Sequence, residues 1–484
     1  MGSGEEARIR VDELAVRVRE LGLLRSDAGP AAAALGIWAC PPYCTLGLPL
    51  QGFKLHVSAT ILSAADVLDH VVPELLRRNV EFKVVATLPA LRRLNGGEFG
   101  YPQIGKFITV YPCDVRDAVS LARWLDGATR GLEGPSVPSD RALYPESLIH
   151  YRWGGFSSHR AAGDSDGVPL IESPTGELIA DSRLPGRAVP PGIADPFRRL
   201  KPTIARKAHH GSPSLFLGRF TITELLAKRG RGCVYRAVDF GPYLRNEGPP
   251  RACVLKHAHR AGDVDESGAD GRDRLWREAR LLEDLHVKVR ALPQPIDHFT
   301  AEGDAYLVLE DLGGTSLLAK LIDDGPMPDV PQAVAFTLEL CSALGELHSQ
   351  GVAMRDLSPA NVVIDADNRV RLVDLEFADH VGSMRSMSVG TPGYTPPERS
   401  RDSFSCSVRE DVYAAGRVAQ TLLLRKPLRS LGELVELGRA GGIGVVLDGS
   451  VPAHVISAVR TATAADPDSR FEDCSEFARA MTVM

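Results

Sequence analysis

The sequence predicts a multidomain α+β protein: an α/β module, an extended connector, and a domain whose strands come first and helices after. Three observations carry this expectation. The chain has 484 residues, too many for one ordinary domain. Up to about residue 160, strand-like runs alternate with helix-like ones. A stretch rich in Pro, Gly, Asp and Ser then intervenes before the pattern changes again. The expected domains are 1–160, a connector over 161–213, and 214–484.

In the first module the runs FKLHVSA, VEFKVVATL, KFITVYP and IHYRWGGF read as strands, and AADVLDHVVPELLRR and VRDAVSLARWLDGATRG as helices. Side chains two apart on a strand share a face, so Lys54 and His56 in QGFKLHVSAT stand side by side. Such groups repel unless an anion lies between them. The connector contains SPTGELIADSRLPGRAVPPGIADP, whose turn formers give no packing period.

Composition excludes several classes. The 44% hydrophobic and 24% charged content is that of a globular protein. With 56 basic and 62 acidic side chains the net charge is −6, which argues against a nucleic-acid partner. The N-terminus mixes charges with apolar residues and lacks a signal-peptide core, and no run approaches a membrane span. A cytoplasmic protein with no membrane partner is expected. The 8 cysteines are scattered, and Cys40 and Cys44 have no partner pair downstream, so reduced thiols are expected.

The last domain carries the densest signal. VAMRDLSPANVVID places Asn361 five residues after Asp356; VRLVDLEFAD ends a strand at Asp374; GTPGYTPPE ends in Glu398. Earlier, ACVLKHA offers Lys256 on a strand and RLWREARLLEDL offers Glu278 on an amphipathic helix. Later, REDVYAAGRVAQ supplies Asp411 and ADPDSRF supplies Arg470. This order resembles the protein-kinase signature set, and a bilobal protein-kinase-like fold is implied. On that resemblance Asp356 accepts the proton of the attacking hydroxyl, and Lys256, held by Glu278, clamps the nucleotide phosphates. Asn361 and Asp374 hold Mg²⁺, a hard ion suited to oxygen ligands, and ATP or another NTP is the donor. Arg470 pairs with Glu398.

Two departures stand out. In LLAKRGRGCVYRA only Gly232 fits the last position of a glycine-rich loop, the earlier ones holding Ala227 and Arg229. The usual Asp-Phe-Gly reads Asp374-Leu375-Glu376, so a glycine hinge is missing. The acidic stretch HRAGDVDESGADGRDR reads as a mobile surface loop.

A kinase alone would not need the first 200 residues. These supply Lys54, His56, Lys83, Lys106, Arg141 and Arg152, several on otherwise apolar strands, where a lysine is rarely buried unpaired. The motifs GFKLHVSA, GKFITVYP and YRWGGF, followed by DGVPLIESPTGELIADSR, resemble the lyase domain and connector of class III lanthipeptide synthetases; that domain is in turn similar to phosphothreonine lyases. The family joins such a lyase to a kinase and a C-terminal cyclase. The resemblance implies a bifunctional peptide dehydratase. Its kinase phosphorylates Ser or Thr of a leader-bearing precursor peptide, and its lyase eliminates phosphate to leave dehydroalanine or dehydrobutyrine. By resemblance Lys83 is the base, with Lys54 as the other candidate. His56 protonates the leaving phosphate, Arg141 and Arg152 grip it, and Lys106 adds charge.

No cyclase ligand set is evident, Cys341, Cys406 and Cys474 being unsuitably placed, so a separate cyclase is a candidate partner. Two other readings stay open at this level. One is a Ser/Thr kinase with a phospho-binding regulatory domain; the other is a pseudokinase scaffold serving a lyase.

Overall fold

The computed structural model describes residues 13–25, 36–43, 48–156, 170–184, 187–200, 215–322, 328–384, 390–400, 405–424 and 451–482. Cys44 lies outside these residues. The chain forms two compact units. One comprises residues 1–235, 256–273 and 300–306; the other comprises 236–255, 274–299 and 307–484.

A seven-stranded sheet organises the N-terminal part of the first unit. Its strands are β1 (Leu24–Arg25), β2 (Trp38–Cys40), β3 (Gln51–Val57), β4 (Glu81–Val85), β5 (Ile108–Tyr111), β6 (Arg141–Ala142) and β7 (Ile149–Gly155). Their spatial order is β1-β2-β4-β5-β3-β7-β6, and every neighbouring pair is antiparallel. Helices and strands alternate along the chain as expected, but the sheet is not built of parallel crossover units. It therefore needs covering on one face only.

Its residue alternation supplies that face. Phe53, Leu55 and Val57 of β3 align with Trp153, Tyr151 and Ile149 of β7; Val110 and Ile108 of β5 align with Phe82 and Val84 of β4. These side chains form one apolar core. Against it pack α1 (residues 13–20), α2 (Ala64–Arg77), α3 (Leu88–Asn95) and α4 (Val115–Ala128). Helix α2 buries Val67, Leu68, Val71, Val72 and Leu75, and α4 buries Ala118, Leu121, Ala122 and Leu125, each a stripe at helical spacing. The polar residues between the apolar ones consequently share the opposite face.

The segment expected to be an extended connector is anchored to this sheet at several points where it is described. Strands β8 (Leu170–Glu172) and β9 (Leu178–Ala180) pair as a hairpin. Gln51 exchanges two hydrogen bonds with the Glu172 backbone, at 2.7 and 2.8 Å. The Trp153 amide donates to the Ala188 carbonyl. Phe197 is fully buried, its ring 5.2 Å from that of Phe53 and 4.2 Å from that of Tyr151. Composition alone hid this, because a few anchoring side chains among turn formers suffice to seat an irregular segment.

A second sheet, ordered β10-β11-β12-β14-β13, comprises β10 (Phe220–Arg229), β11 (Gly232–Asp239), β12 (Arg251–Ala258), β13 (Pro295–Ala301) and β14 (Asp304–Glu310). Helices α5 (Gly241–Leu244) and α6 (Gly271–Leu285) lie between its strands in sequence. The second unit adds α7 (Leu317–Ile322), α8 (Val330–Ser349), α9 (Val408–Leu423), α10 (Ala453–Ala462) and α11 (Cys474–Thr482), of which α8, α9, α10 and α11 pack together. Capping boxes start α8 at Asp329 and α9 at Ser407. Cys341 is buried in α8. Among the described residues no helix is long and apolar enough to cross a membrane.

The acidic stretch expected to be a mobile loop is knit together. Asp265 accepts from Ser267 and Ala269, and Asp270 accepts from the amides of Ala261 and Arg272.

Replacing Phe197 with alanine should destabilise the first unit by about 3–5 kcal/mol, the usual cost of truncating a buried aromatic. Chemical denaturation followed by near-UV circular dichroism reads this. A change below about 1 kcal/mol, within ordinary surface-substitution scatter, would show that the segment does not belong to the core.

Candidate active sites

On the polar face of the first sheet, register brings the predicted cations together. Lys83 of β4 lies opposite Thr109 of β5, which lies opposite His56 of β3, which lies opposite His150 of β7. Lys54 lies opposite Arg152 in the next row. Lys106, in the turn before β5, joins them from the sheet end. His56, Lys106 and Arg152 are all buried, at 3%, 5% and 2% exposure.

The counter-ion is a residue the sequence analysis missed. Asp140, its side chain fully buried, meets His56 Nδ1 through Oδ2 at 2.5 Å and Lys106 Nζ through Oδ1 at 3.5 Å. Ser139 Oγ donates to the same Oδ1. A second missed carboxylate, Asp181, pairs with Arg152 Nη2, which also donates to the Ser182 carbonyl at 3.0 Å. Arg152 lies across Gly154, where an added Cβ would fall 2.7 Å from its Nη1; this accounts for the glycine two residues on. Among the described residues the buried Arg152 Nε has no hydrogen-bond partner, a donor left over for an anion.

Arg141 is not part of this group. Its partner across the ladder is Tyr151, whose side chain faces the helices, and its Nη1 binds Asp195 at 2.7 Å. Tyr151 donates to the same oxygen. The residue one place earlier, Asp140, is the one that reaches the polar face.

The electrostatics follow from burial without water. Desolvation, then the Arg152 charge, lowers Lys54 to about 7. Desolvation and Lys106 lower Lys83 to about 8. Desolvation also lowers Lys106 to about 8, against the pull of Asp140. His56 falls to about 3, again chiefly from burial. Burial works to raise the Asp140 carboxyl, but Lys106 and His56 outweigh it and hold it well below the usual range. His56 is thus neutral at ordinary pH, its Nδ1 proton shared with Asp140 and its Nε2 an acceptor. Arg183, in the connector, contributes to lowering both Lys83 and Lys106 and is a further cation that sequence reasoning passed over. Five basic side chains and two imidazoles, His56 and His150, therefore gather with two carboxylates, an arrangement suited to a dianion. Lys83 Nζ also stands 4.1 Å from the Trp38 ring centre, and Lys54 Nζ 5.6 Å from that of Tyr111.

The second unit assembles the other constellation. Asp411, fully buried in the first turn of α9, accepts from His348 Nε2 at 2.8 Å and from the amides of Met354 and Arg355 at 2.7 and 2.8 Å. That carboxylate fixes the loop carrying Asp356. Asp356 Oδ1 accepts from the Thr391 amide and hydroxyl at 2.8 and 2.9 Å, and Asn361 Nδ2 donates to its carbonyl at 2.8 Å. Arg355 and Asp374 both have positive φ, +67° and +70°, strain of the kind that concentrates at functional sites. Arg470 grips Glu398 bidentately at 2.6 and 2.7 Å, as the sequence predicts.

Glu278, Asp374 and Glu376 place carboxylate oxygens within 4.8 Å of one another. Such an all-oxygen donor set suits Mg²⁺. The glycine missing after Asp374 is replaced by a buried side chain facing Arg274 at 3.9 Å, while Glu278 accepts from the Leu375 amide at 3.0 Å. Both contacts tie the Asp374 segment to α6.

In the first unit, Lys256 is buried on β12. A Cβ on Gly232 would fall 1.7 Å from the His257 carbonyl, and one on Gly230 would fall 2.0 Å from the Asn95 carbonyl. Close backbone approach is therefore enough to require both glycines, whatever their part in nucleotide binding.

A family model described as RamC, N-terminal domain, matches residues 26–209, and one described as protein kinase domain matches 245–436. The chain carries a RamC-type N-terminal domain followed by a protein kinase domain. It is 31% identical over 82% of its length to a probable SapB synthase of Streptomyces coelicolor, covering 42% of that protein. It is 32% identical over 45% of its length to the serine/threonine-protein kinase PknG of Mycolicibacterium smegmatis, covering 28%. A third relative, PknE of Mycobacterium tuberculosis, is 28% identical over 54% and covered to 45%. The chain thus spans less than half the length of these relatives. The order of its two domains is the one the lanthipeptide-synthetase resemblance requires.

An anion entering the first site should raise the depressed lysines toward their ordinary value near 10.5, so phosphate binding at pH 8 should take up protons. Calorimetry of inorganic phosphate binding in buffers of differing ionisation heat measures this; no uptake would mean the lysines are charged at rest. By the same linkage, the unfolded chain binds more protons than the folded one between about pH 7 and 10. The stability of this unit should therefore rise with pH across that window.

Proposed function

We propose that the chain is a bifunctional peptide dehydratase: its kinase domain phosphorylates Ser or Thr of a precursor peptide, and its RamC-type domain eliminates the phosphate. The observation that carries this is the buried cationic face, with the spare Arg152 donor, in the same chain as an assembled kinase loop.

In the first half-reaction Asp356, oriented by Thr391 and Asn361, accepts the proton of the substrate hydroxyl. Asn361 and Asp374, with Glu376 beside them, would hold Mg²⁺, which neutralises charge on the transferring phosphate when bound. Lys256 and Glu278 serve nucleotide binding, with ATP or another NTP as donor.

In the second, the phosphopeptide loses its α-proton and its phosphate together. The Cα–H bond breaks, its electron pair forms the Cα–Cβ double bond, and the Cβ–O bond breaks to release phosphate. A neutral lysine must take the proton, which a pKa near 7–8 allows at ordinary pH. We assign this to Lys83. Lys54 is the second reading, favoured by its lower pKa of about 7. Arg152 binds the phosphate and Lys106 adds charge. His56, neutral at ordinary pH, gains its second proton as the phosphomonoester arrives, since that ester carries a proton of pKa about 6 and its charge raises the ring. His56 then returns that proton to the departing group. The precursor peptide with its leader, and any separate cyclase, are the partners this function implies.

Incubation with a candidate precursor peptide, Mg²⁺ and nucleotide, followed by mass spectrometry, tests the proposal. The parent should show loss of one water per modified residue. Lys83→Met should accumulate phosphopeptide, with elimination at least ~100-fold slower, the scale of a lost general base. Asp356→Asn should leave the peptide unmodified. If Lys54→Met traps phosphopeptide and Lys83→Met does not, the base is Lys54. Stable phosphopeptide from the parent would instead mark a kinase with a phospho-binding domain.

A further inference from the structure

Outside the groups assigned so far, two imidazoles and a carboxylate meet on the second sheet. His257 belongs to β12 and His259 follows it two positions on, so both rings fall on one side of the strand. Asp304 opens β14, the neighbouring strand. Asp304 Oδ2 stands 2.8 Å from His257 Nε2 and 3.1 Å from His259 Nδ1, and the three atoms lie within 4.8 Å of one another. We propose that His257, His259 and Asp304 form a binding site for a divalent transition-metal ion of the Zn²⁺ class, clipping β12 to β14.

The geometry is close to that needed. Two ligands about 2.0–2.1 Å from a tetrahedral zinc lie ~3.3 Å apart, so the two carboxylate–imidazole spacings need to open by only a few tenths of an ångström, and the two ring nitrogens already lie within 4.8 Å of each other. The surrounding contacts hold the ligands in place. The other Asp304 oxygen accepts from the Arg260 amide at 2.8 Å, aiming Oδ2 at the rings. His257 stacks on Tyr306 with ring centres 4.6 Å apart and planes 1° from parallel. Its Nδ1 is buried with no hydrogen-bond partner among the described residues, so none of them turns the Nε2 edge away from Asp304. His259 and Asp304 keep 21% and 24% side-chain exposure, which leaves water access to complete the coordination.

Ligand chemistry separates this site from the carboxylate cluster around Asp374. Imidazole nitrogens with one carboxylate select a borderline transition ion, whereas oxygens alone select Mg²⁺. The role is structural. Lys256 precedes His257 directly, so its side chain leaves the opposite face of the same strand, and the ion would immobilise the backbone that carries Lys256 without touching the lysine.

The test uses the full chain, stripped with chelator and held in saturating Mg²⁺ so that the carboxylate cluster is occupied. Zn²⁺ titration by calorimetry should show one site per chain. X-ray absorption of the loaded protein should show nitrogen and oxygen neighbours only. His259→Gln, a substitution at a partly exposed ring, should weaken Zn²⁺ binding at least ~10–100-fold while leaving the metal-free melting temperature unchanged. Asp304→Asn is the second variant and should weaken binding likewise. Absence of a saturable site, a sulfur shell pointing to cysteines, or unaltered affinity in both variants would overturn the assignment; the trio would then be a carboxylate bracing two imidazoles. None of these readouts depends on dehydration.

Discussion

The N-terminal site depends on one carboxylate. Asp140 has no exposed side-chain surface, yet stays ionised because His56 and Lys106 both press against it. Removing an amine from water is costly, and several on one sheet face would repel one another as well. Asp140 offsets part of that cost and sets the tautomer of His56. It does not cancel the charge of the group: Arg152 has its own partner in Asp181, and Lys54, Lys83 and Arg183 add to the excess. The site is held together strongly enough to fold and left positive enough to attract an anion.

The kinase domain uses a buried carboxylate differently. Asp411 neutralises no cluster of amines; it accepts two backbone amides and one imidazole, and so determines the path of the loop bearing Asp356. The backbone strain at Arg355 and Asp374 persists because neighbouring contacts over-determine it. Glu278 takes the Leu375 amide, and Glu376 faces Arg274, so a segment that pivots on glycine in many kinases is held here by side chains from α6. The loss of glycine noted in the sequence is therefore matched by gained contacts.

What was legible in the sequence tracks the locality of its causes. Strand alternation placed Lys54 with His56, and ordered motif spacing placed Asp356, Asn361, Asp374, Glu398 and Arg470. Both rest on short-range geometry. Arg141 was misplaced because β6 is two residues long, too short to show a period; a one-residue change of phase exchanges Arg141 for Asp140. Asp181, Arg183 and Phe197 were invisible because they sit in an irregular segment whose composition resembles a linker. His257, His259 and Asp304 were invisible as a group because their meeting depends on which strands become neighbours, and sequence separation carries no sign of that.

The proposed elimination sets two demands that oppose each other. A lysine base must be neutral, and burial and mutual repulsion move both candidate lysines towards that state. The phosphodianion that binds there favours protonated lysines and so tends to disable the base. The site's mixture of cation types resolves the conflict. A guanidinium is a permanent cation, and Arg152 offers one to the phosphate in a form that does not compete for the α-proton. His56, locked by Asp140 with Nε2 outward, is the group whose protonation the dianion can drive with benefit, because an imidazolium is what the leaving group needs. Lys83 faces the Trp38 ring, towards the β2 side of the sheet and away from Arg152 on β7. Distance from the phosphate-binding arginine is what keeps a lysine available as a base, and this separation across the sheet favours Lys83 over Lys54, which lies directly opposite Arg152.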